Sequence, residues 1–209
     1  FFEKKNNNKN SEYFPLDLSK AYDYFFIDGN FESEKYFHNY RDDLLNEFDI
    51  KDKEKFFDNK YLDIIKKNNV VSICVRQNRF SERIENKYSS SNIDKSLLFV
   101  EKTIDYINKA IEYFNKKIDN PKYLIWSNNF DNLDKYFDNK KFIFVINDND
   151  KILTDFFLLT QCKYFIVGPS TFHWWGAWLS NFDDKVCVRP KNLNPSNNRD
   201  FWPEKWIII

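Results

Sequence analysis

Residues 70–209 are predicted to form a doubly wound α/β domain, a parallel sheet covered by helices on both faces. Three observations predict it. Five apolar runs of four to six residues recur from Val70 onward; segments with helical spacing separate them; and polar residues follow each run, where the carboxyl ends of parallel strands would open.

Residues 1–20 carry an Asn/Lys run without a clean period and read as a linker or ragged edge. Residues 21–69 read as a helical segment, because Tyr36, Phe37, Tyr40, Leu44, Leu45 and Phe48 recur at spacings of three and four within 28–65. The first strand is 70–75. A loop follows, then a long helix at 93–118 with Leu97, Val100, Ile104, Ile107, Ile111, Phe114 and Ile118 on one stripe and Pro121 beyond its end. The alternation continues with a strand at 123–126, a short helix at 132–137, a strand at 142–146 and a helix at 151–161 capped by Asn149 or Asp150. A strand at 164–167, a short helix at 174–179 and a strand at 185–188 complete it.

The 209 residues suffice for a sizeable core. Lys+Arg and Asp+Glu both total 32, which removes the broad positive field of a nucleic-acid binder, so phosphate recognition must be local. Twenty-three Phe, twelve Tyr and six Trp against three Gly imply dense aromatic packing. Cys74, Cys162 and Cys187 lie in apolar runs without CxxC spacing, so they read as buried thiols in a reducing compartment. No apolar run reaches the ~18 residues of a membrane span. The expected location is therefore cytoplasmic, any membrane association residing in parts outside this segment. The chain contains no Met and reads as a piece of a longer polypeptide, with an upstream domain expected.

Arg76 follows the first strand, Ser127, Asn128 and Asn129 the second, Asn147 and Asp148 the third, the 168–171 turn the fourth and Arg189 the fifth. The strand–turn–helix around Gly168-Pro-Ser-Thr171 offers hydroxyls and free N–H groups suited to a phosphate; the plain alternative is that Ser170 or Thr171 only caps the helix. A nucleophile elbow fails, since Phe172 stands where its second glycine belongs and His173 is too close to act as base. Arg76 could grip a phosphate in bidentate fashion or pair with a surface carboxylate. Asp155 could be a solvated helix residue, and Trp174, Trp175 and Trp178 read as packing.

The string DFFLLTQCKYFIVGPSTFHWWGAWL (155–179) strongly resembles the α-1,2-fucosyltransferases of glycosyltransferase family 11, whose motif reads D-L-x-L-M-x-x-C-x-x-x-I-x-x-N-S-T-F-S-W-W-G-A-W-L. GNFESEKYF (29–37) resembles the family's G-Y-x-Q-S-E-K-Y-F, and WPEKW (202–206) its closing P-x-x-W.

The resemblance implies the C-terminal domain of a GT-B-type glycosyltransferase, Rossmann-like and preceded by a helical segment. It further implies GDP-fucose as donor substrate, inverting transfer to the 2-hydroxyl of a terminal galactose on a glycan acceptor, and no cofactor or metal. Arg76 would hold the donor β-phosphate, Asp155 would accept guanine N–H groups, and Ser170, Thr171 and Phe172 would touch phosphate and base. Trp126, Ser127 and Asn128 stand in the segment where the family has F-S-D-D. The chain departs at CVRQNR (74–79), where the family has H-x-R-R-x-D, and it lacks the G-x-G-N-Q-x-F motif. With that aspartate gone, Glu82 and Asp148 are the candidate bases. The alternative is a catalytically silent nucleotide-sugar or glycan-binding domain of the same fold; no nucleic-acid partner is expected.

Overall fold

The structure, a computed structural model, describes residues 12–15, 26, 28–147, 151–194 and 198–209. The chain forms two compact units, Phe1–Asp49 with Asn194–Trp206, and Ile50–Leu193 with Ile207–Ile209.

In the first unit the expected helical pattern resolves into 3-10 turns at Glu34–Tyr36 and His38–Tyr40, followed by α1 (Arg41–Glu47). The aromatics are used sideways instead of along a helix face. Tyr36 meets Tyr13, Phe14 and Phe31 edge-on. Two segments far apart in sequence are joined here: Lys35 Nζ lies 2.7 Å from Asp200 and 3.2 Å from Glu204, and Asn198 donates to the Glu32 carbonyl. Burial pushes the Asp200 carboxyl up, but the hydrogen bonds from Lys35 and the Tyr13 N–H outweigh it and hold Asp200 below its ordinary value.

The second unit opens with α2 (Lys60–Lys67), capped by Asn59, whose side chain accepts the Tyr61 N–H. The all-buried β1 (Val70–Val75) leads to α3 (Ser90–Lys117), whose N-cap Ser89 accepts the Asn92 N–H. That helix buries Val100, Thr103, Ile104, Ile107, Ala110 and Phe114, the spacing expected of one core-facing stripe. The remaining elements are β2 (Lys122–Ser127), β3 (Phe142–Phe144), α4 (Lys151–Thr160), β4 (Tyr164–Ile166), α5 (Thr171–Leu179), β5 (Val186–Arg189) and β6 (Ile207–Ile208). The short helix expected at 132–137 is a 3-10 turn at Leu133–Lys135, and the caps expected at Asn149 or Asp150 lie outside the described residues.

All six strands run parallel in the order β3-β2-β1-β4-β5-β6. The sheet is doubly wound, with one more strand than the five expected. Side chains alternate across it. Val71, Ile73, Val75, Tyr123 and Ile125 join α3 in one core, in which each fully buried large apolar side chain contributes roughly 1.5–3 kcal/mol. Ser72 and Cys74, on the other face, meet α5 and its leading turn. Gly176 brings α5 close to α4: a Cβ there would sit 2.7 Å from Leu159 Cβ. Lys185 closes α5 by donating to the carbonyls of Ala177, Trp178 and Ser180. The three cysteines are buried and form no disulfide. Among the described residues no helix is long and apolar enough to cross a membrane.

Candidate functional site

The chain builds β1, β2 and β3 outward in one direction, then returns to lay β4 on the other side of β1. Between β1 and β4 the winding reverses, the switch point at whose carboxyl edge sheets of this kind bind their ligands. Ile73 is level with Ile166 in the ladder. Arg76 and the 168–171 turn therefore leave neighbouring strands at the same rim.

Gly168 is where that turn passes closest to β1. A Cβ at this position would lie 2.2 Å from the Cys74 carbonyl oxygen, so only glycine fits. Ser170 occupies the N-cap position of α5, yet its side chain makes no capping bond; its hydroxyl acts instead on the Cys74 thiol, favouring the charged form. Burial pushes that thiol up to about 12, against the Arg76 charge and the Ser170 hydroxyl, while the Asp155 charge adds to the rise. The Cys74 thiol thus feels the Arg76 and Asp155 charges together with the Ser170 hydroxyl. Thr171 is exposed in the first turn of α5, and Phe172 packs on Phe156 with ring centroids 5.5 Å apart.

Asp155 is buried on α4, not solvated, and one carboxylate oxygen accepts the Asn147 amide at 2.7 Å. Asn147 is itself held by Asn59, the α2 cap, at 3.0 Å. Trp126 is buried at the end of β2, level with Cys74, and its indole N–H has no hydrogen-bond partner among the described residues. Ser127 and Asn128 spend their polar groups on neighbouring backbone. Ser127 Oγ donates to the Val75 carbonyl, and the Asn128 amide brackets the backbone N–H and carbonyl of Gln77, so both brace the loop that carries Arg76.

Arg76 is ion-paired with Glu82 on the same loop. Of the two candidate bases, Glu82 stands exposed beside this guanidinium and Asp148 lies outside the described residues. Asn147 had no role in the sequence reading because its partner is on another element. Only the hydrogen bond reveals it. Arg189, at the end of β5, keeps a buried Nε without a partner among the described residues.

Residues 3–209 match the family described as Glycosyl transferase family 11. Among curated proteins, the O-antigen biosynthesis glycosyltransferase WbnK of Escherichia coli is 32% identical over 89 residues, 41% of this chain and 30% of that protein. An alpha-1,2-colitosyltransferase of Escherichia coli is 32% identical over 99 residues, 43% of this chain and 33% of that protein. The matches therefore span about a third of each relative's length. No solved structure matches the chain.

Proposed function

Because the chain belongs to glycosyl transferase family 11, we propose that it transfers fucose from GDP-fucose to the 2-hydroxyl of a terminal galactose, with inversion and without a metal. The observation that carries this reading is the reversal of winding between β1 and β4, which brings Arg76 and the Ser170 turn to one rim. There the guanidinium, the Ser170 and Thr171 hydroxyls and the first N–H groups of α5 would receive the diphosphate. Asp155, with Asn147 fixing one of its oxygens, would accept from guanine, alongside Trp126 and Phe172.

The acceptor oxygen attacks C1 of fucose while the bond from C1 to the β-phosphate oxygen breaks. GDP departs with the bonding pair, its charge met by Arg76. The hydroxyl proton passes to a carboxylate. Glu82 fits that role once the diphosphate has taken its place on Arg76. Asp148 is the other carboxylate proposed for it.

The name of the second relative supports a competing donor, a GDP-linked colitose, in the same site. Measuring GDP release with lactose present, from GDP-fucose and GDP-colitose in turn, tests both. Release from GDP-fucose alone upholds the reading. Release from the colitose donor alone transfers it to that sugar, and release from neither, with GDP still bound, leaves a silent binding domain.

A further inference from the structure

We propose that His173 is the positioning residue of the 168–171 turn, its imidazole fastening the turn to the central strand and so fixing where Ser170 and the α5 N-terminus present their donors. His173 is wholly buried and makes two hydrogen bonds in opposite directions. Its Nδ1 accepts the Gly168 backbone N–H at 3.2 Å, and its Nε2 lies 2.7 Å from Ser72 Oγ on β1. A backbone N–H can only donate, so Nδ1 is unprotonated and the ring proton sits on Nε2, pointing at Ser72.

This fastening decides which donors an anion can meet. The Gly168 N–H is spent on the ring, Pro169 has none, and the Ser170 N–H turns back 2.7 Å from the Gly168 carbonyl. What faces outward is the first turn of α5, the N–H groups of Thr171, Phe172 and His173, which have no intrahelical acceptor. One residue thus holds the turn through its ring and lends its own backbone to the donor set. Its effect on binding rests on the donor-site reading; the tie itself does not.

Calorimetric titration of the full chain with GDP, using three variants, tests this. In His173→Asn the amide oxygen can replace Nδ1 toward Gly168; in His173→Gln the longer side chain reaches Ser72 only; His173→Leu keeps neither bond. The expected result is binding within about threefold of wild type for Asn and weakened tenfold or more for Gln and Leu. Nitrogen-15 spectra should show a bare Nδ1 and a protonated Nε2, and the Gly168 amide should exchange slowly in wild type and Asn but quickly in Gln. Equal binding by all four proteins, equal weakening of all three variants, or a proton on Nδ1 overturns the proposal. If wild type binds no GDP, the donor-site reading fails, and the ring spectra and Gly168 exchange still decide the fastening.

Discussion

The Arg76 guanidinium is held by the Glu82 carboxylate, six residues further along the loop that leaves β1. A carboxylate resembles a phosphate face in charge and bite, so on the proposed donor reading Glu82 occupies the place an incoming diphosphate would claim. Glu82→Gln should therefore tighten GDP by several-fold while abolishing transfer. Arg76→Ala should weaken GDP by tenfold or more, as expected for a charge-assisted contact of roughly 1.5–3 kcal/mol. Titration and a turnover assay on both variants check this; GDP affinity unchanged in both removes Arg76 from the donor site.

Ser170 caps nothing, so Ser170→Ala should cost well under the ~1 kcal/mol typical of a lost N-cap while still weakening GDP. Chemical denaturation beside titration separates the two effects. A stability loss of the full capping size would mean that the hydroxyl serves the helix after all.

Gly168→Ala should be among the most damaging single changes, costing about 3 kcal/mol or more, because the added methyl would press on a backbone carbonyl that cannot rotate aside. Thermal unfolding reads it directly. Gly176→Ala should also destabilise, since the nearest atom, Leu159 Cβ at 2.7 Å, is fixed to the α4 backbone and cannot swing aside.

Asn147→Ala removes the amide that one oxygen of Asp155 accepts. On the donor reading, GDP should weaken by about tenfold and its preference over inosine diphosphate, which lacks the 2-amino group, should narrow. Competition binding with both nucleotides checks it. An unaltered preference would detach Asp155 from base recognition.

Acid should expose His173. Burial lowers its pKa from 6.5 to about 3, so the unfolded chain takes up a proton that the folded chain refuses. Its contribution is complete above pH 6.5 and declines as pH falls toward 3, at up to about 1.4 kcal/mol per pH unit. His173→Asn lacks that slope. Urea denaturation from pH 7 to 4 should show the gap between wild type and variant narrowing on acidification; a constant gap would contradict a buried neutral ring.

The parallel sheet could be read because β1, β2 and β4 are apolar runs interrupted by convincing helices, and α3 because its stripe holds from Val100 to Phe114. Its first turn is not legible, since Ser89, Ser90 and Ser91 resemble a loop, and Leu97, expected on the stripe, is exposed. The start of α5 at Thr171 was masked by taking the tryptophans as the helix, and β6 is two residues whose only argument for being a strand is β5. The same limit applies at the site. Arg76, Asp155 and Ser170 were visible as residue types following strands or on a helix. That Ser170 would leave its own helix without a side-chain cap, or that Asn147 would hold Asp155, depends on neighbours brought near only by folding.

The two outermost strands, Phe142–Phe144 and Ile207–Ile208, are the shortest but for β4, which equals the first at three residues. A sheet bounded by such brief margins offers scarcely any open backbone for a second molecule to extend, so lateral growth into ribbons or fibrils has little to begin from.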